Sequence, residues 1–322
     1  MRALLLHHPY VYPRFEQNLV ARIAELAEFD VAAADLDALE CGEIAAQTGP
    51  LNLSSYDAIV VFVAFKRLRA AATLSWGAFR GLRLLMDHDV IQNYSSIFDT
   101  TLRGAWPSVF RRHRFDAIVT SGRAVRDRLA EDGVATDWVP KGFEASLFSP
   151  KNGARKGIAT YGSAYACRQV AERAVRDARL PLTRLPPTPY PRLGATLNRF
   201  LACMAISSDI EAGVSLERAI ARDVPLRPGL EPMAKFFEAA GAGCCPVADD
   251  MDDLRMLGFR DGETALTFRT HAELVEKLQA TLKAPDTLRT MGLAAALFAH
   301  AEHTWAHRAR ALREVICERL RA

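Results

Sequence analysis

No apolar run in the 322-residue sequence approaches the ~20 residues that a membrane-spanning helix requires; stretches such as Ala58 to Phe65 are far shorter. Met1-Arg2 leads directly into a strand-like segment, so neither a signal peptide nor stable membrane insertion is expected. Cysteine is scarce. Cys41, Cys167, Cys203, Cys244, Cys245 and Cys317 show neither C-x-x-C spacing nor the density of a disulfide scaffold. A zinc ribbon and a stapled secreted fold are thereby excluded, and a reducing, cytoplasmic setting is expected. The sequence also lacks internal repeats and low-complexity tracts, which excludes a solenoid. Nor does one charge sign dominate: the net charge is +3 with 25% charged and 50% apolar residues, the balance of a globular protein with a large core.

Within that near-neutral total the charge is uneven. Residues 64–128 carry twelve Lys or Arg against five Asp, a local excess of +7. Solvated helix faces often collect arginine, but such a field also suits a polyanionic partner.

The length suggests about two domains of ~150 residues each. In the first half, apolar strands alternate with helical patterns. Strands are expected at Ala3–Leu6, Val31–Ala33, Tyr56–Phe62, Leu82–Met86, Asp116–Thr120 and Thr136–Val139. Helices are expected over Glu16–Glu28, Arg67–Arg80, Ser108–Arg112 and Ser121–Glu131. Apolar strands separated by helices imply a parallel sheet covered on both faces. Phe148 to Arg155 is polar and turn-rich, which places a boundary near residue 150. A second α/β set follows: a strand running into Tyr161-Gly162-Ser163, a helix Arg168–Asp177, a strand within Phe200–Ser207, a helix Met233–Ala242, a strand Cys245–Ala248, and helices Glu273–Leu282 and Pro285–Phe298. The expected organisation is thus 1–150, 151–304, and a terminal helix, 305–322, packed across a domain surface. Two such units would leave a crevice at the carboxyl ends of their strands, where α/β sheets usually bind ligands.

Gly241-Ala242-Gly243 does not suit a dinucleotide fingerprint, because these glycines end a helix and lead into a strand. More informative is the whole stretch from Glu231 to Val247. Pro232 suits a first helical turn, and Glu231 and Glu238, seven residues apart, would share one helix face. The helix amino terminus, with Pro232 and Met233, would suit a diphosphate.

This segment resembles the donor-binding signature of the retaining GT-B glycosyltransferases of family 4, the group-1 glycosyltransferases, especially their short, spore-maturation-protein-like branch. Other stretches match in the same order. Ile118-Val119-Thr120-Ser121, Val139-Pro140-Lys141-Gly142-Phe143-Glu144 and Phe148-Ser149-Pro150 resemble the interdomain passage. Asp261-Gly262-Glu263 resembles the stretch after the donor site, and His303-Thr304-Trp305 the start of the terminal helix. The two glutamates stand one residue closer than in the family pattern, with Ala234 in a glycine's place.

The resemblance implies an α/β fold of GT-B type: two Rossmann-like domains with parallel sheets facing a central cleft. It implies an N-terminal acceptor-binding domain, a C-terminal nucleotide-sugar domain, and no cofactor or catalytic metal. A nucleotide-diphosphate sugar serves as co-substrate, with a UDP-sugar favoured. Carried over by position, Glu238 would bind the ribose, and Lys235 and Arg168, after Gly162 and Ser163, would neutralise the diphosphate leaving group. Glu231 would lie near the donor sugar. Asp87, His88 and Asp89 follow a strand and would orient the acceptor hydroxyl or accept its proton. His8 and Tyr10, past the first strand, would face the acceptor. The acceptor itself stays open between a small molecule and a polyanion such as modified DNA or a lipid-linked glycan. So does a second class, a non-catalytic module binding nucleotide sugar or nucleic acid on the same fold.

The apolar spacing of Phe65, Leu68, Ala72, Trp76 and Phe79 reads as one helical stripe, either core or a basic amphipathic surface.

Overall fold

A computed structural model of the chain describes residues 1–10, 15–94, 100–207 and 229–322. Asp99 of the basic stretch lies outside the described residues. The chain divides into two compact units, one formed by Met1–Tyr94, Thr101–Pro140 and Trp305–Ala322, the other built on Lys141–Thr304. Residues 141–150 belong to the second unit and the terminal helix Trp305–Arg321 to the first.

In the first unit six strands, β1 (Ala3–His7), β2 (Phe29–Ala33), β5 (Ala58–Phe62), β6 (Leu82–Asp87), β7 (Ala117–Thr120) and β8 (Thr136–Trp138), pair in parallel in the order β2-β1-β5-β6-β7-β8. A small antiparallel hairpin, β3 (Ala45–Ala46) with β4 (Gly49–Pro50), follows β2. Ala3 to Leu6 and Ala58 to Val61 are fully buried, the pattern of strands covered on both faces. Trp305, Ala309, Leu312 and Ile316 of the terminal helix join Leu5, Leu19 and Ile23 in one core.

The second unit repeats the plan with β9 (Ile158–Thr160), β10 (Leu182–Arg184), β11 (Ala202–Met204), β12 (Cys245–Asp249) and β13 (Leu266–Phe268), all parallel, in the order β10-β9-β11-β12-β13. The helix Ala234–Gly241 runs through its core with all eight residues buried.

Two local expectations are corrected. The stripe from Phe65 to Phe79 is not one helix: helix Phe65–Ala70 stops, and Ala71 is extended (φ −63°, ψ 151°). The backbone beyond finds partners elsewhere, Ala72 N on Glu40 O (2.9 Å) and Ser75 N on Gly42 O (2.7 Å), while the Trp76 indole donates to His113 O (2.7 Å). Phe65, Leu68, Trp76 and Phe79 are buried and only Ala72 is exposed, so the large apolar members are core and offer no amphipathic surface. The second correction concerns Glu231 and Pro232. Met233 is the extended residue capping the 234–241 helix (φ −74°, ψ 153°), so Pro232 lies ahead of the first turn. Glu231 is outside the helix too, and the shared face expected for it and Glu238 does not form.

Candidate functional site

In the second unit β10 and β11 lie on opposite sides of β9, and the crevice outside the carboxyl ends of β9 and β11 is where such a sheet binds ligands. β9 runs there into the turn Tyr161-Gly162-Ser163. Gly162 has φ +81°, a conformation that costs any residue with a Cβ. A Cβ at Gly162 would stand 3.4 Å from Lys235 Nζ and 3.6 Å from Arg168 Nη1, so this backbone leaves space directly in front of two cations. Lys235, in the first turn of the 234–241 helix, donates to Tyr161 O and lies 4.8 Å over the Tyr161 ring. Arg168, from the helix Ala166–Asp177, donates from Nε to Ile206 O (3.1 Å) and from Nη1 to Ser163 O (2.9 Å). Both side chains are buried, Lys235 at 7% exposure and Arg168 at 5%.

Burial, and then the Arg168 guanidinium, push the Lys235 ammonium down to about 7. Burial also lowers Arg168. Two cations so placed gain most from an anion, because each has lost water without gaining a carboxylate at hydrogen-bond distance among the described residues. Arg184, at the end of β10, donates to Gly162 O (2.7 Å) and pairs with Glu172, which also accepts from Thr160 Oγ1 (3.0 Å). Beside the turn opens a cavity of about 710 Å³ lined by Tyr161, Gly162, Ser163, Arg184, Thr188 and Leu193.

The two glutamates are both enclosed. The Tyr161 hydroxyl donates to Glu238, whose carboxyl is raised above its ordinary value by burial. Burial, then the nearby Glu238 charge, holds the Tyr161 phenol well above its own. Glu231, with no exposed surface, forms an ion pair with the buried Lys141. Asp249, at the end of β12, accepts from Ser207 N (2.9 Å), Ser207 Oγ (3.2 Å) and Gly229 N (3.0 Å), holding the two chain segments that flank the crevice.

The structure therefore brings Gly162, Ser163, Arg168, Lys235 and Glu238 together around one turn. Pro232 and Met233 enter the helix beside them, and Glu231 faces Lys141. Sequence reading missed Tyr161, Arg184, Glu172, Lys141 and Asp249 as members. Only the Tyr-Gly-Ser turn carried a local signal; the others are assembled by contacts across 12 to 90 residues of chain.

The first unit has its own pocket, about 190 Å³, at the carboxyl ends of β1, β5 and β6, lined among others by His8, Tyr10, Glu16, Lys66, His88 and Asp89. Asp87 also lines it, but its two oxygens accept from Trp106 Nε1 (2.7 Å) and Asp89 N (2.8 Å). Asp87 thus braces the turn while Asp89 is exposed. His88 is buried with its ring beside those of Phe15 and Trp305, at 6.3 and 5.8 Å, and edge-on to Phe62 at 5.2 Å. His8 and Tyr10 pack against each other with ring centroids 5.5 Å apart. All five residues expected on the acceptor side therefore meet in the same unit at the same sheet end.

No curated protein matches the chain. Among solved structures, sucrose-phosphate synthase from Thermosynechococcus elongatus superposes with a TM-score of 0.61 at 15% identity, covering 98% of each chain. HepE from Anabaena, in complex with UDP and glucose, gives 0.64 at 14% identity over 99% of this chain and 100% of its own. T4 phage beta-glucosyltransferase gives 0.58 at 12% identity over 98% and 99%. At these identities the likeness establishes the fold, two Rossmann-like units of GT-B type. A family profile described as glycosyl transferase-like matches residues 151–314, just over half of the sequence and nearly all of the second unit, and the chain accordingly belongs to the glycosyl transferase-like family.

Proposed function

We propose that the protein transfers a sugar from a nucleoside-diphosphate sugar, UDP-sugar favoured, to an acceptor hydroxyl, with retention and without a catalytic metal. The observation that carries this reading is the space before Gly162, bounded by Lys235 Nζ and Arg168 Nη1. A diphosphate seated there would restore to both cations the anionic partner that burial denies them. As the sugar C1–oxygen bond to the diphosphate breaks, negative charge grows on the leaving oxygens, and the two cations stabilise it in a dry site. The new bond forms between C1 and the acceptor oxygen, and the proton of the acceptor hydroxyl leaves toward a basic oxygen. Asp89 is our candidate for orienting that hydroxyl, beside His88, His8 and Tyr10; Asp87 fixes the turn. Glu238 supports the donor turn through Tyr161, and its ribose contact belongs to this same reading. HepE is described in complex with UDP and glucose, and beta-glucosyltransferase with uridine diphosphoglucose, which supports the choice of UDP. Six free cysteines, four of them buried, support a cytoplasmic setting.

A thermal-shift panel with UDP, GDP, dTDP, ADP and CDP tests the donor site, because a ligand of the folded state raises stability by about RT ln(1 + [L]/Kd). A selective rise with UDP, lost in Lys235→Met, is expected; no rise with any nucleotide would overturn the reading. The enclosure of Glu231 by Lys141 and of Glu238 by Tyr161 favours a second reading, a nucleotide-sugar-binding module without turnover. That reading requires the UDP shift with neither sugar transfer nor slow donor hydrolysis.

A further inference from the structure

The arginine-rich stretch of the first unit has a spatial order that the charge count alone does not convey. Arg69, in the last turn of the Phe65–Ala70 helix, donates from Nη1 to Thr101 O (2.6 Å), which sets it beside the segment carrying Arg103. Arg112, on the Trp106–His113 helix, donates from Nη2 to both Leu68 O and Arg69 O (2.8 Å each), which sets it against the same helix end, with exposed Arg111 next to it in the chain. Arg69, Arg103, Arg111 and Arg112 are therefore parts of one surface, all exposed. Among the described residues no carboxylate lies within 4.0 Å of any of the four, whereas neighbouring Arg67 is paired with Glu40 and Arg83 with Asp116 (3.1 Å). The first-unit pocket lies close by, since Lys66, three residues before Arg69 on the same helix, and Leu102, next in chain to Arg103, both line it.

We propose that these four arginines form a docking surface for the phosphodiester backbone of double-stranded nucleic acid, holding it over the pocket that contains Asp89. The proposal rests on the transferase reading only in calling this partner the acceptor. Guanidinium groups recognise phosphate oxygens in forked geometry, and the charge of these four is available because no acid among the described residues neutralises it. A membrane surface fits less well. Peripheral helices insert apolar side chains, and here Phe65, Leu68, Leu102, Trp106 and Val109 are all buried, while among the described residues the exposed large apolar side chains lie elsewhere in the sequence. Single strands are bound largely by stacking on exposed aromatic rings, and among the described residues no exposed large aromatic side chain lies in this patch. What remains is backbone reading of a duplex, which needs cations and no stacking platform.

The test is fluorescence anisotropy of the full chain with a labelled duplex, against unlabelled poly(glycerol phosphate) and anionic vesicles, between about 50 and 200 mM salt. With four phosphates neutralised, log K against log salt should fall with a slope of about −3 to −4, a loss of roughly a hundredfold across that range. Arg69→Gln/Arg112→Gln should flatten the slope by about two. Because Arg112 also satisfies helix-end carbonyls, Arg103→Gln/Arg111→Gln is the decisive variant: neither guanidinium makes a hydrogen bond or ion pair among the described residues, so the fold should be untouched while the slope again flattens by about two. An unchanged slope in that variant overturns the proposal, as does tighter binding to vesicles or to poly(glycerol phosphate) than to the duplex. The UDP-induced thermal shift is read on the same variants. Duplex binding without any UDP shift breaks the transferase reading and keeps the docking surface; a UDP shift without duplex binding does the reverse.

Discussion

The two units share one sheet plan but equip its carboxyl end differently. In the second unit Lys141, Arg168, Glu231, Lys235 and Glu238 are each less than 10% exposed and tied to one another or to the turn they surround. In the first, Asp89 is exposed, the pocket is smaller, and its polar members stand among the aromatic rings of Phe15, Phe62 and Trp305. Burying charge is costly unless the groups are held in place, and the reward is a site whose electrostatics need no rearrangement when an anion arrives. A pocket whose carboxylate is exposed gives up that strength and keeps the group open to solvent. The same fold thus carries the buried charges of the proposed anion cradle at one sheet end and the proposed acceptor platform at the other.

The largest expected effect concerns the rigidity of the cradle. Removing one member of the Lys141–Glu231 pair takes the ion-pair partner from a buried charge, so Lys141→Met should cost about 3–5 kcal/mol in urea unfolding. The double variant Lys141→Met/Glu231→Leu should recover most of that loss. Full loss in the double variant would mean that the pair is needed for more than mutual neutralisation, and the contrast between units would sharpen.

Lys235→Met comes next. A hydrogen bond to a charged group contributes about 1.5–3 kcal/mol, so UDP should bind roughly tenfold to a hundredfold more weakly. Free protein should be no less stable, since a buried ammonium that is penalised by desolvation has been replaced by an apolar chain. Affinity retained in this variant, measured by calorimetry, would break the assignment of the cradle.

On the platform the same substitution at neighbouring positions should separate brace from reactant. Asp87→Asn replaces one accepting oxygen by a donor facing Trp106 Nε1 or Asp89 N, and should cost about 1–3 kcal/mol of stability. Asp89→Asn, at an exposed position, should change stability by less than about 0.5 kcal/mol while lowering kcat for sugar transfer. Equal loss of stability in both would put Asp89 in the scaffold.

Much of this contrast was legible in the sequence because strands buried on both faces announce themselves by composition. Ala58 to Phe62 and Cys245 to Ala248 read correctly for that reason, and the order of motifs located Gly162, Arg168, Lys235 and Glu238. Partnerships were not legible. Lys141 and Glu231 lie 90 residues apart, and Tyr161 and Glu238 lie 77 apart, so no local pattern links them. The failure at Phe65–Phe79 has another cause: spacing by three and four is shared by a helix and by a chain draped over a core. Only the partners of the backbone groups, here Glu40 and Gly42, decide between them.

The smallest effect is a pH dependence, and its sign separates the two units further. Lys235 titrates near 7 in the folded protein and near 10.5 when unfolded, so above pH 7 the unfolded chain holds more protons at this group and stability rises with pH, by at most about 1.4 kcal/mol per unit. His7 and His113, both lowered by burial, contribute the same sign only below about 6.5, while Cys203, raised to about 12, opposes it only above about 9. Raised Glu238 also opposes it, since a carboxyl whose folded value lies above its unfolded one loses stabilisation as pH rises toward the folded value. Between pH 7 and 9 Lys235 should therefore give free protein an upward slope of melting temperature that Lys235→Met removes. A bound diphosphate draws the proton back onto Lys235, so the stabilisation by UDP should shrink over the same interval in the wild type and stay flat in the variant. Substitutions on the platform, Asp89→Asn included, should leave both slopes as they are, because the groups that set the Lys235 value, burial aside, are Arg168, Cys203, Glu238 and Arg184.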